Sequence, residues 1–196
     1  MFMQKRMAFY LFLALSVAGM NANAQLKTPQ DNAFQADLEN VILDYPNSFQ
    51  HYIGPERVNN PQSTDYSSLL KIRGSEECTI TKYPAAKRDR YSYQALLLSA
   101  DEFDNAKNSF DSYFNRLNNL AIRFGNQSYN LAGEYQSPSD DKKFSSTVFS
   151  FSPGEVSVKQ LKVELLMEYV VTEWKVRLLI YEEEREDNEQ GGIKDK

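Results

Sequence analysis

The sequence predicts a single α+β domain in which helices pack against an antiparallel sheet of about seven strands. Removal of a predicted 24-residue export signal leaves 172 of the 196 residues, a length that suits one core. Two segments have the apolar spacing of amphipathic helices, and seven short segments have the composition of strands. Their order is α-β-β-β-α-β-β-β-β, and neighbouring strands are too close in sequence for parallel crossover connections.

The export signal is predicted over residues 1–24. Lys5 and Arg6 provide a positive start, residues 7–20 form an apolar run, and Ala22-Asn23-Ala24 places small residues where a signal peptidase cuts. This run of about fourteen residues is shorter than the roughly twenty that a spanning helix needs. We therefore expect a mature chain that begins at Gln25, is periplasmic or extracellular, and has no integral membrane segment. With no cysteine near the cut, it is not expected to be a lipoprotein.

The first helix is predicted over residues 31–44, where apolar side chains recur on one face. Pro46 should end it at Tyr45, because the residue before a proline disfavours helical geometry. Residues 47–65 are rich in Gly, Pro, Asn and Ser and are predicted to be a long irregular connection. Apolar residues in and just before this connection either line a groove or fasten it to the core, and fastening is favoured. They are Tyr45, Phe49, Tyr52 and Ile53.

Three strands are predicted next as an antiparallel meander, over residues 68–73, 78–83 and 90–98. Turn-forming residues at 74–76 and 84–89 separate them. The third strand begins with alternating tyrosines and polar residues and ends in an apolar run. We expect its start to be half exposed and its end to be buried on both faces.

A long amphipathic helix is predicted to follow. Ser99 and Glu102 have the spacing of a capping box, in which each residue satisfies a backbone N–H of the other. Apolar residues recur every three or four positions as far as Phe124, and Gly125 follows where a left-handed terminating residue is expected. The predicted helix has about six turns, and its polar face should be exposed.

Two hairpins are predicted to complete the sheet, residues 129–135 with 144–151 and residues 160–170 with 174–182. In the last strand, alternation assigns Trp174, Val176, Leu178 and Ile180 to the core. Glu164 and Glu168 fall on the opposite, wet face of the preceding strand. Residues 183–196 are predicted to be a disordered acidic tail, so the domain ends at residue 182.

Composition excludes several functions. Loss of Lys5 and Arg6 leaves 20 basic residues against 27 acidic ones, a net charge of about −7 that argues against nucleic-acid binding. Cys78 is the only cysteine and His51 the only histidine, so neither a disulfide within the chain nor an imidazole–thiolate metal site is expected. A buried thiol is favoured for Cys78 over pairing between molecules. No cofactor or metal is predicted.

Candidate ligand-binding residues lie in and beside the turn between the second and third predicted strands. Four basic residues there face one acid, Asp89, and tyrosines flank them. This composition suits an acidic or sugar partner, although solvated charge is also normal on a hairpin turn. The candidate residues are Lys82, Lys87, Arg88, Arg90 and Tyr91.

The sequence therefore predicts an exported, non-catalytic protein that binds a protein, a glycan or a small ligand through a sheet face or an edge strand. One alternative is a small exported hydrolase with paired carboxylates on facing strands, because acids are plentiful. Another is an envelope-assembly or structural protein that acts by strand addition. Ligand identity, oligomeric state and strand order stay open.

Overall fold

A nine-stranded antiparallel sheet organises the fold, and two helices pack on one of its faces. The computed structural model describes residues 29–154 and 159–182. The predicted class, a single α+β domain, is confirmed. The predicted export signal and acidic tail lie outside the described residues.

The sheet consists of two meanders joined in its middle. The first runs from β1 to β4 and the second from β5 to β9, and the sheet order is β1-β2-β3-β4-β9-β8-β7-β6-β5. The helices are α1 (Pro29–Leu43) and α2 (Phe103–Leu117). The strands are β1 (Ile53–Asn60), β2 (Ser63–Ser68), β3 (Glu77–Tyr83), β4 (Arg90–Ala100), β5 (Ala121–Phe124), β6 (Gln127–Ala132), β7 (Phe144–Ser152), β8 (Leu161–Val170) and β9 (Glu173–Glu182).

The core lies between the helices and one face of the sheet. Alternate residues of β8 and β9 are buried, and the predicted core face of β9 is confirmed because Trp174, Val176, Leu178 and Ile180 are all buried. Phe34 and Leu38 of α1 and Phe110 of α2 are almost fully buried against the sheet. The opposite face carries partly exposed side chains, including Glu164 and Glu168 as predicted. One face of this antiparallel sheet is therefore left open to water.

The long helix α2 is shorter than predicted at both ends. Glu102 is its N-cap residue in extended conformation, and Ser99 still belongs to β4, so the predicted capping box is not formed. The helix ends at Leu117, and Asn119 takes the left-handed backbone conformation with φ of 65°. Asparagine tolerates this conformation better than other non-glycine residues. Gly125 instead forms the turn between β5 and β6.

Strand β1 lies within the segment that was predicted to be irregular. Its pairing with β2 contains two register shifts, and it includes Pro55, which a sheet accepts only in an edge strand or at a bulge. β2 ends at Ser68, where a strand was predicted to begin, and residues 69–76 are irregular. The prediction that the end of β4 is buried on both faces is also wrong. Leu96 and Leu98 are only partly buried, because the helices cover one face of the sheet.

The two edges of the sheet differ. At β5, α1 lies alongside the edge: the Gln35 side chain donates to the Ala121 carbonyl at 2.9 Å, and the Arg123 backbone N–H donates to Glu39 at 2.7 Å. Side chains thus satisfy backbone groups that another strand would otherwise pair with. At the other edge, β1 contains Pro55 and its pairing with β2 has two register shifts. The β1–β2 ladder is therefore regular only over residues 58–60 of β1.

Replacement of Phe110 by alanine should test the packing of α2 on the sheet. Phe110 is 0% exposed, so Phe110→Ala should lower the free energy of unfolding by about 3–5 kcal/mol through lost burial and a cavity. Denaturant unfolding followed by circular dichroism measures it. Asn108→Ala, on the exposed face of the same helix, should change stability by only about 0.5 kcal/mol or less. Equal effects of the two substitutions would contradict this packing.

Candidate ligand-binding site

The structure brings three of the five candidate residues together in one groove. Arg88, Arg90 and Tyr91 line a cavity of about 200 Å³, which we call the end groove. The groove lies between the turn after α1, the β3–β4 turn and the end of β9. Its other lining residues include Tyr45, Phe49, Gln160 and Glu182. Lys82, near the end of β3, and Lys87, on the β3–β4 turn, do not line the groove.

Asp44 organises the turn that forms one wall of the end groove. Its carboxylate is 6% exposed and accepts hydrogen bonds from the Asn47 side chain at 3.0 Å and the His51 backbone N–H at 3.1 Å. The ring Nδ1 of His51 lies 2.5 Å from the same carboxylate. Between these contacts, Ser48 and Phe49 both have φ of 56°, in the left-handed region. The buried carboxylate thus holds a tight turn that few sequences adopt without such partners.

The tight turn separates the roles of its two aromatic residues. Phe49 is 0% exposed, and its ring lies 6.2 Å from that of Tyr93 in the core. Tyr45 is only partly buried, and its ring faces the groove lining. Both residues therefore line the groove, but Phe49 also fastens the connection in the core, whereas Tyr45 packs only at the edge of the core. Burial and the nearby Glu182 carboxylate raise the pKa of the Tyr45 hydroxyl, so it remains a neutral hydrogen-bonding group at physiological pH.

Ion pairs set the electrostatics of the β3–β4 turn. Lys82 lies 2.7 Å from Asp89, and this hydrogen bond raises the pKa of the lysine and lowers that of the aspartate. Arg88 lies 2.5 Å from Glu182. Among the residues that line the groove, Arg88 and Arg90 are matched in number by Asp89 and Glu182, and the positive excess comes from Lys82 and Lys87 beside it.

The side chains that could act in hydrolysis form other contacts in this structure. Cys78 is buried as predicted, and its thiol lies 3.1 Å from the Ser75 hydroxyl, whereas His51 is bound to Asp44. Glu164 accepts a hydrogen bond from the Tyr181 hydroxyl at 3.0 Å. A carboxylic general acid needs a raised pKa, but that of Asp89 is lowered by Lys82.

Sequence reasoning missed a second, larger cavity on the open face of the sheet. It has a volume of about 440 Å³, and side chains from β1, β2, β3 and β4 line it. We call it the outer bowl. Its signal in the sequence is the alternation in β3, where Thr79 and Thr81 alternate with the buried Cys78 and Ile80. This alternation indicates a polar face but not the strands that lie beside it.

In residues 29–154 and 159–182, no group of three or more His, Cys, Asp or Glu side chains is arranged to hold a metal ion. No helix in this part of the chain combines the length and the apolar character that crossing a membrane requires.

Comparisons with protein-family models, with curated proteins and with solved structures find no match to this chain. A function has to be inferred from the geometry and chemistry of the chain itself.

Replacement of Asp44 should show how far the groove wall depends on its carboxylate. Asp44→Ala removes the acceptor for three donors, so we expect the free energy of unfolding to fall by about 1–3 kcal/mol. Thermal or denaturant unfolding measures the loss. Asp141→Ala serves as the control, because Asp141 is exposed and its removal should cost about 0.5 kcal/mol or less. A loss no larger than that of the control would show that other contacts hold the turn.

Proposed function

We propose that the chain is an exported, non-catalytic binding protein, periplasmic or secreted, whose end groove takes an acidic or sugar ligand. The observation that carries this proposal is the convergence of Arg88, Arg90 and Tyr91 with Tyr45 in one groove. These residues come from two separate parts of the chain, so the groove is a product of the fold and not of one turn.

The side chains around the end groove suit a sugar that carries a carboxylate. A guanidinium binds a carboxylate through two parallel hydrogen bonds, and the rings of Tyr45 and Tyr91 offer apolar surface to a sugar. The Gln160 amide adds a donor and an acceptor. At about 200 Å³ the groove is smaller than the roughly 300–1,000 Å³ of typical small-molecule sites. It therefore fits one acidic unit of a ligand that continues over the surface.

The ion pair between Arg88 and Glu182 is compatible with ligand binding. The Arg88 side chain is 66% exposed, whereas that of Glu182 is only 19% exposed, so displacement of Glu182 would leave a partly buried carboxylate without its partner. A guanidinium has five N–H donors, so a ligand carboxylate can bind Arg88 alongside Glu182. Lys82 and Lys87 would add long-range attraction for an anion without contacting it.

Strand addition has less support than binding in a groove. The β5 edge is covered by the side chains of α1, and the β1 edge is interrupted by Pro55 and two register shifts. Such features prevent edge-to-edge pairing in natural sheets. Hydrolysis by paired carboxylates is not favoured either, since Asp89 and Glu182 in the end groove each form an ion pair.

The ligand proposal is tested by titration of the ¹⁵N-labelled chain with glucuronate, galacturonate, N-acetylmuramate and N-acetylneuraminate. At least one acidic sugar should shift the backbone signals of Arg90 and Tyr91, and neutral glucose should not. Arg88→Ala should weaken binding by roughly tenfold or more, because it removes a hydrogen bond between charged groups. Lys142→Ala, an exposed cation on a distant turn, is the matched control. No shift with any acidic sugar, or equal affinity in both variants, would rule out this ligand class.

Export is tested separately, by production of the whole chain in a Gram-negative bacterium. We expect a mature protein that begins at Gln25 in the periplasm or the medium, as measured by intact mass and N-terminal sequencing. Leu13→Arg places a charge in the apolar run and should block processing, whereas Leu26→Arg, beyond the predicted cut, should not. A full-length protein that stays in the cytoplasm would contradict export.

A further inference from the structure

The outer bowl lies on the face of the sheet opposite to both helices. It has a volume of about 440 Å³, within the roughly 300–1,000 Å³ of typical ligand sites. Alternate residues of adjacent strands line it: Asp65 is paired with Thr81, and Thr79 with Gln94. The polar groups are therefore held in register by the strand ladder. Side chains placed on strands are positioned more rigidly than side chains on loops.

The charges in the outer bowl are satisfied within it. Arg57 forms an ion pair with Glu77, and Asp65 accepts a hydrogen bond of 2.7 Å from the Thr81 hydroxyl. The charged lining residues of the outer bowl are Arg57, Glu77 and Asp65, so an anion would meet a net negative charge and a cation would have to break these existing contacts. The outer bowl thus differs from the end groove, beside which Lys82 and Lys87 add positive charge.

The remaining side chains have the chemistry that recognises uncharged hydroxyl groups. Ser63 and Thr79 offer hydroxyls, and Gln94 offers an amide that both donates and accepts. The Tyr83 ring is 41% exposed at the end of β3 and presents an apolar surface beside these polar groups. Sugars combine an apolar ring face with hydroxyl groups around it, and this combination matches such a surface.

We propose that the outer bowl is a second binding site, which takes a neutral oligosaccharide. One sugar ring lies against Tyr83, and the hydroxyl groups of a unit further along the oligosaccharide bond to Gln94 and Thr79, about 13 Å away along β3. A polar face alone would not support this proposal, since antiparallel sheets commonly expose one. The concave shape, the charged groups that are already bonded within the bowl and the exposed aromatic ring together distinguish the outer bowl from ordinary surface.

Isothermal titration of the full chain with maltohexaose, cellohexaose and chitohexaose tests this site. At least one of these neutral oligosaccharides should bind, and Tyr83→Ala and Gln94→Ala should each weaken its binding by roughly tenfold or more. Tyr135→Ala is the matched control, because Tyr135 is similarly exposed, at 43%, but lies outside the outer bowl. Arg88→Ala, in the end groove, should leave this binding unchanged, so the two sites can fail separately.

A conservative variant distinguishes the loss of a ligand contact from the loss of the folded structure. Thr79→Val removes one hydroxyl, retains the β-branched shape that suits a strand, and should weaken binding while thermal unfolding stays close to that of the parent. If none of the three oligosaccharides binds at millimolar concentration, the proposal is overturned. It is equally overturned if binding persists undiminished in Tyr83→Ala, Gln94→Ala and Thr79→Val.

Discussion

The pairing of β4 with β9 is the constraint on which the rest of the structure depends. It joins two meanders that each form locally, and it does so between residues that are far apart in sequence, such as Ala95 and Leu178. Helix α2 contacts β4, β8 and β9, so it packs over this junction and buries it. Without the junction, each half would expose a long edge and a one-sided apolar face. The chain therefore has to close a large loop before its core is complete, which is characteristic of slowly folding β-rich topologies.

Burial on a single face explains the separation of core and binding surfaces. Both helices pack on one side of the sheet, so strands β3 to β9 send alternate side chains into the core and the others to water, whereas β1 and β2 have no fully buried side chain. Tyr93 shows the inner pattern: it is 0% exposed, and its hydroxyl donates to the Leu70 carbonyl at 2.8 Å. Burial raises the pKa of this hydroxyl, so it stays protonated and its donor is satisfied. Its neighbour Gln94 points the other way and lines the outer bowl.

The sequence predicts the parts of the fold whose patterns are local and clean. The hairpin of β8 and β9 alternates over nearly its whole length, and both strands were found close to their observed bounds. β1 was missed because Gly54, Pro55 and its asparagines have low strand propensity, and tertiary pairing overrides that preference. β5 was missed because Leu120 and Phe124 continue the helical spacing of α2. In the candidate groove, Arg88, Arg90 and Tyr91 were predicted together because they lie in and beside one turn. Tyr45 and Glu182 were not predicted to line the same groove, because contacts between distant segments leave no periodic signal in the sequence.

The β3–β4 hairpin links the two proposed sites while keeping them apart. Along β3, Thr79, Thr81 and Tyr83 face the outer bowl, whereas Lys82 pairs with Tyr91 at the side of the end groove. The strand period of two thus directs adjacent residues to opposite faces. The ion pair between Lys82 and Asp89 connects the two ends of the turn. A sheet with one open face can therefore present chemically different surfaces from one hairpin: a groove lined by arginines and tyrosines at its end and a hydroxyl-rich bowl on its outer side.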